Sequence, residues 1–241
     1  MKGKVIVFKS VVIAFAMLAG CYSSTPSKNV MTREIFATMS VVARDEHSTD
    51  VAAILRVGGL TSDRFVDLGD GESLVASDGG NSETMSQDLI SGAYTADFSS
   101  AAADTEFTIS FSRSGYVGHE SAPSSVGRLP APFTVGPLKY FSRSADDLTI
   151  TWAPSGSADP MHLAVRGTSC VLSFSTDLSG DPGAYTLAKG SLKPGDGTGN
   201  EPCELAITLT RSRAGVADAH YARGSSMSLS QARTTMVSSN P

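Results

Sequence analysis

From Ile35 onward the chain keeps a period of two, and that period leaves little room for anything but strands. Ile35, Ala37, Met39 and Val41 alternate with polar or small neighbours. The pattern returns in Phe107, Ile109 and Phe111, in Leu148, Ile150 and Trp152, and in Leu205, Ile207 and Leu209. One apolar side chain at every second position is what a half-buried antiparallel strand requires. No long stretch sustains the 3.6-residue spacing of an amphipathic helix. Turn residues punctuate the alternation. Gly69-Asp70-Gly71, between Leu68 and Leu74, predicts a tight hairpin. Gly79-Gly80-Asn81, Pro154-Ser155-Gly156 and Pro194-Gly195-Asp196-Gly197 predict longer loops. The fold class expected is all-β.

The chain also repeats itself. Gly92-Ala93-Tyr94-Thr95 recurs as Gly183-Ala184-Tyr185-Thr186, offset by 91 positions. The run from Glu106 to Ser114 (EFTISFSRS) recurs from Glu204 to Ser212 (ELAITLTRS), offset by 98. The longer second offset fits a longer loop before Cys203. Offsets of this size belong to domains rather than to solenoid repeats. Two tandem antiparallel β-sandwiches are therefore expected, over residues 32–129 and 130–241, joined near Leu129-Pro130-Ala131-Pro132. Asp181-Pro182-Gly183-Ala184-Tyr185 resembles the tyrosine corner of immunoglobulin-like sandwiches, which implies a Tyr185 hydroxyl tied to nearby backbone. Antibody domains carry a cysteine two residues later, where this chain has Leu187. Trp152 resembles the early-strand tryptophan of fibronectin type III domains, and the Pro-rich entry from Pro130 to Phe133 suits that family too.

The N-terminus has a different character. Lys2, Lys4 and Lys9 precede a short apolar run from Val11 to Leu18, and small residues then lead to Cys21. This order reads as an export signal over residues 1–20, too short to be a spanning helix. Leu18-Ala19-Gly20-Cys21 resembles the lipobox of bacterial lipoproteins. The resemblance implies that cleavage leaves Cys21 first and that Cys21 carries acyl chains such as palmitate. By the same resemblance Tyr22, standing where an aspartate favours inner-membrane retention, points to the outer membrane. Residues 21–31 are rich in Ser, Thr, Pro and Lys and are expected to form a flexible tether.

Three of the 19 basic residues fall in the leader, leaving 16 against 24 acidic residues, a formal net of −8. Scattered acids of this kind argue for solubility and against nucleic acid or an anionic membrane surface as the partner. Attachment to a bilayer would come from lipid, at about 0.8 kcal/mol per buried methylene. With Cys21 assigned to acylation, Cys170 and Cys203 remain in a chain sent to an oxidising space. A disulfide is the reading, with a pair of buried free thiols as its alternative. Closing a loop of that size contributes about 4 kcal/mol in the chain-entropy model. Cys170 shares parity with Leu172 and Phe174, and Cys203 with Leu205, so regular strands would turn both thiols to apolar faces.

No motif declares a chemistry. There is no Gly-x-Ser-x-Gly elbow and no phosphate-binding glycine loop; Gly58-Gly59 and Gly79-Gly80 read as turns. His47, His119, His162 and His220 are far apart, and His119-Glu120 fails as a zincin motif because Pro123 stands where the second histidine belongs. Asp67, Asp70 and Glu72 cluster, as do Asp45, Glu46 and Asp50, but neither group has calcium-loop spacing. Turn chemistry and solubility explain them better. Arg211, Arg213, Arg223 and Arg233 form either a basic patch or, more simply, a ladder along an exposed strand. Tyr116 and Tyr221 are either edge aromatics or core residues.

The function expected is non-enzymatic binding or support by a lipid-anchored envelope protein. No catalytic or metal-ligating residue and no cofactor is assigned; the membrane is one partner, and an envelope protein or glycan the other. The alternatives are an envelope hydrolase or metal-dependent enzyme assembled from distant residues, and a subunit of a surface assembly.

Overall fold

The alternating segments are strands, and the strands sort into two sandwiches. The computed structural model describes residues 23–113, 123–167, 169–195 and 201–241. Up to residue 128 the strands are β1 (Ser23–Pro26), β2 (Ile35–Ala43), β3 (Thr49–Val57), β4 (Arg64–Asp67), β5 (Ser73–Ser77), β6 (Ser82–Thr84), β7 (Ser86–Gln87), β8 (Tyr94–Phe98), β9 (Glu106–Ser112) and β10 (Ser124–Arg128). Then come β11 (Thr134–Val135), β12 (Phe141–Ser142), β13 (Leu148–Ala153), β14 (Met161–Gly167), β15 (Phe174–Leu178), β16 (Ala184–Leu187), β17 (Cys203–Ala214) and β18 (Ser226–Asn240). The chain is all-β, of the immunoglobulin/fibronectin-III-like sandwich class. Among the described residues no helix is long and apolar enough to cross a membrane.

Both halves follow one plan. In the first, β2-β3-β8 lies over β6-β5-β9-β10; in the second, β11-β13-β16 lies over β15-β14-β17-β18. The repeated sequences occupy matching places: the Gly-Ala-Tyr-Thr motifs open β8 and β16, and the longer runs form β9 and β17. Alternation sets the cores. Ile35, Ala37, Met39 and Val41 bury against Phe107, Ile109 and Phe111 in the first cluster. Leu148, Ile150 and Trp152 bury with Leu205, Ile207 and Leu209 in the second. The first cluster reaches Leu129 and the second begins at Phe133.

β18 belongs to both halves. It pairs antiparallel with all twelve residues of β17, from Cys203↔Ser239 to Ala214↔Ser228. Its residues 226–231 also pair in parallel with residues 38–43 of β2. One layer of each sandwich thereby fuses into a single 11-stranded sheet. Tyr221, Met227 and Leu229 join the first core, and Val237 the second. The connection between β17 and β18 is itself fastened to the first half. Val126 and Val216 exchange backbone hydrogen bonds, and the Ala222 amide donates to the Ile35 carbonyl at 2.9 Å. Gly127 is needed here, because a Cβ would overlap Leu229 Cδ1.

Two local expectations need correcting. The described part of the 21–31 segment is not a tether. β1 pairs in parallel with β4, Ser27 is fully buried and Val30 enters the first core. The segment is held largely through backbone carbonyls, which a Ser/Thr/Pro-rich composition does not reveal. Gly69-Asp70-Gly71 does turn the chain, with Gly71 at φ +81°. It makes no hairpin, however: β4 pairs with β3 and β1 in one sheet, whereas β5 pairs with β6 and β9 in the other. Val66 on one side of the turn and Leu74 on the other each reach the same core from opposite layers.

Candidate functional site

The repeat carries a buried arginine in each half, and each is the hub of a polar centre. Arg113 follows β9 and Arg211 lies in β17, at equivalent places in the two runs. Arg113 donates to the carbonyls of Ser27 and Val30 at 2.6 and 2.9 Å and to Thr32 Oγ1 at 2.8 Å. Its Nε faces Glu72 at 3.4 Å, both side chains being buried. Arg211 donates to the carbonyls of Ala131 and Pro154 at 2.8 and 2.7 Å and to Asp181 Oδ2 at 2.7 Å. Asp181 also accepts from the Trp152 indole at 2.5 Å. Each guanidinium therefore straps the segment that enters its own sandwich. A charge removed from water needs such pairing, and of the Arg211 nitrogens only Nε lacks a partner. Burial opposes ionisation of Glu72, but the Ser27 hydroxyl, the Gly69 amide and Arg113 outweigh it and hold the carboxyl below its ordinary range.

These centres absorb several residues that the sequence left open. Arg211 is not a rung of an exposed ladder, nor part of a basic patch; it is 1% exposed. Arg213 pairs with Asp104 and Asp159, which lowers Asp159 chiefly through its hydrogen bond. Arg233 stacks over the Phe133 ring at 5.7 Å and donates to the Ala43 carbonyl and to Gln231. Gln231, fully buried, donates in turn to the Ala101 and Pro130 carbonyls at the junction of the halves. Arg223 alone of the four is exposed. Tyr221 is core rather than an edge contact, and burial pushes its phenol up.

The backbone tie expected of Tyr185 is made instead by its counterpart in the first half, to backbone 26 and 28 residues upstream rather than at a local corner. The Tyr94 hydroxyl donates to the Val66 carbonyl at 3.0 Å and accepts from the Leu68 amide at 3.1 Å. Burial raises it to about 12. Tyr185 is half-buried in β16, opposite Ile150, and its hydroxyl makes no hydrogen bond among the described residues. The Asp181 of its motif is the functional part of the resemblance, since it binds Trp152 and Arg211.

The remaining candidates do not converge. His162 pairs with Asp177 and His220 with Asp218, each at 2.7 Å and on open surface. His47 sits in an exposed turn, where Asp45 accepts its amide proton. Asp50 pairs with Arg44, Asp67 accepts from Gln87, and Asp70 is exposed in its turn. Among the described residues no cluster of three or more His, Cys, Asp or Glu is placed to hold a metal ion. Cys21, Tyr116, His119 and Glu120 lie outside the described residues. Cys170 and Cys203 are joined by a disulfide. Cys203 sits on the inward parity of β17 as expected, but Cys170 precedes β15 in an irregular segment, and Leu172 is exposed.

Described residues line several surface hollows, one of about 310 Å³ lying beside Asp218, Tyr221 and Arg223 and three others elsewhere. One of about 420 Å³ is lined by Lys28, Asp67, Asp70 and Glu72. Another, of about 300 Å³, is lined by Arg143, Lys193 and the C-terminal Pro241. The third, of about 160 Å³, lies between β1 and the β7–β8 turn, with Ser24, Phe65, Gln87 and Leu89 on its walls. None contains a histidine facing a nucleophile. Sequence reasoning missed Glu72, Asp181 and Gln231 as structural centres. The only signal available was the conserved spacing of Arg113 and Arg211 within the internal repeat.

No family model and no curated protein matches the sequence. Solved structures do match. One is the two fibronectin type III domain segment from chicken tenascin, 12% identical, covering 84% of this chain and 98% of that one with a TM-score of 0.25. The sandwich class rests on the strand order described above, and the tenascin likeness adds nothing to it.

Proposed function

We propose that this chain is a lipid-anchored protein of the bacterial cell envelope, at the outer membrane, whose fused sandwiches act as a rigid binding or spacing element rather than as a catalyst. The observation that carries the reading is β18. A strand hydrogen-bonded to β2 at one end and to β17 along its length leaves the halves no free hinge. The lipobox-like Leu18-Ala19-Gly20-Cys21 supports the anchor. The arginines and carboxylates that a catalytic reading needs are engaged in fastening loops and strand entries. Loops at the ends of such a scaffold are the natural place for capture of an envelope protein or glycan.

The test uses the full chain purified from envelopes. The N-terminal peptide is expected to carry acyl chains on Cys21 by mass spectrometry. Cross-linking in the intact envelope is expected to give one saturable partner. Panels of ester, glycan and peptide substrates are expected to show no turnover. Turnover abolished by His162→Ala or His220→Ala overturns the non-catalytic reading, and an unmodified Cys21 overturns the anchor.

A further inference from the structure

The two most exposed large apolar side chains of the described residues are neighbours: Leu89 at 81% and Ile90 at 79%. They form the crest of the β7–β8 turn. The turn is not loose. Asp88 Oδ1 accepts from the Ile90 amide at 2.8 Å, and its Oδ2 accepts from the Ser91 hydroxyl at 2.9 Å. The Gly92 amide donates to the Asp88 carbonyl at 2.8 Å, and the Asp88 amide to the Ala93 carbonyl at 2.7 Å. Gly92 itself, at φ +68°, packs against the Phe65 ring too closely for any Cβ. Leucine and isoleucine are thus held outward on a turn whose Asp88, Ile90, Gly92 and Ala93 amides are bonded internally. The crest carbonyls have no such partner among the described residues, so the turn suits shallow entry at the headgroup boundary, where water still reaches them.

The position of this crest says what it meets. Leu89 and Ser24 line the same hollow, so the crest stands beside β1. Ser23 opens β1 only two residues after Cys21, and two extended residues span no more than about 7 Å. β1 is fastened to β4 and leaves little slack. Leu60, 43% exposed in the β3–β4 connection, lies at the same end of the sheet. Arg64, whose guanidinium bonds Thr25 at 3.3 Å, opens β4 at this end, with Asp63 before it and Asp67 at the far end of the strand. The local charge is mixed, so the attraction would come from the apolar crest.

We propose that the Leu89–Ile90 turn dips into the lipid bilayer beside the acylated Cys21 and holds the first sandwich end-on to the membrane. This rests on the lipid-anchor reading above. One acyl-bearing residue fixes a point; a second apolar contact fixes an orientation.

With Cys21 acylated and Cys170 bridged to Cys203, an introduced cysteine is the one free thiol. Ile90→Cys and, separately, Leu89→Cys are labelled with an environment-sensitive fluorophore in the full acylated chain. Met236→Cys, 55% exposed on β18, is the control. Each is reconstituted in vesicles of phosphatidylethanolamine and phosphatidylglycerol containing spin-labelled lipid. Shallow insertion of the kind seen for interfacial segments predicts quenching at 89 and 90 at least about twofold stronger than at 236. Equal quenching at all three positions, with Cys21 shown acylated by mass, overturns the crest and spares the anchor. An unacylated Cys21 overturns the anchor instead. Unquenched labels together with a dimer that Leu89→Asp dissociates show that a second copy covers the crest, and overturn the proposal.

Discussion

The two sandwiches solve one problem with the same arginine and different acids. Arg113 takes Glu72 from the turn before β5, whereas Arg211 takes Asp181 from the connection between β15 and β16. Arg113 is further braced by Ser27 and Thr32, and its acid borders a solvent hollow. Arg211 and Asp181, buried to the same depth, stand closer, at 2.7 Å, with Trp152 as a third member. The first half also borrows Tyr221, Met227 and Leu229 to finish its core, while the second has a disulfide of its own. One half depends on a strand from the other, and the other holds the closer ion pair. What is shared is the tie between an inner strand and the chain's point of entry; what carries the negative charge is interchangeable.

The sharpest test of that contrast is the arginine pair. Arg211→Ala strands the buried Asp181 carboxylate and is expected to destabilise by about 3 to 5 kcal/mol in urea unfolding. Arg113→Ala is expected to lose less, because Glu72 stands 3.4 Å from its guanidinium, against 2.7 Å for Asp181, and keeps Ser27 and Gly69. Equal losses break the comparison. Next, reducing Cys170–Cys203 should remove up to about 4 kcal/mol. Leu229→Ala should cost about 3 kcal/mol through cavity formation in the first core. Because β18 ties the halves together, Trp152 fluorescence, a probe of the second half, should shift with the far-UV signal. A Trp152 transition that stays in place while the far-UV signal moves shows the halves unfolding separately.

Acid should act more gently. Burial works against ionisation of Asp78, but hydrogen bonds from Ser100, Asn81 and Gly80 hold it at about 2. Its folded value lies below its unfolded one, near 3.9. The stability it contributes is therefore complete above pH 4 and is lost as pH falls toward 2. Ser100→Ala should shrink that loss in denaturant midpoints measured across this window. The smallest effect belongs to Arg128→Ala, whose exposed pair with Glu106 is expected to contribute under about 1 kcal/mol.

Much of this architecture was legible in the sequence. The alternation marked β2, β9, β13 and β17, and the two repeats marked equivalent strands. The rest was hidden for physical reasons. β18 reads poorly as a strand because its apolar stripe is interrupted: Met227 and Leu229 serve one core, Val237 the other, and Gln231 and Arg233 fill the gap. β1 is held through backbone atoms, which composition does not encode. The turn at Gly69 has hairpin chemistry, but local residues do not specify which sheet the next strand joins. The arginine centres escaped notice because a charged residue in a strand ordinarily means solvent.

The shared strand also has a consequence for biogenesis. Synthesis runs from the N-terminus, and domains commonly fold in the order in which they emerge. Here the leading half lacks part of its interior until Leu229 has been made, 100 residues after Leu129. The first sandwich therefore waits, unfinished, through the synthesis of the second. A half that cannot lock early remains threadable through a narrow conduit until β18 arrives.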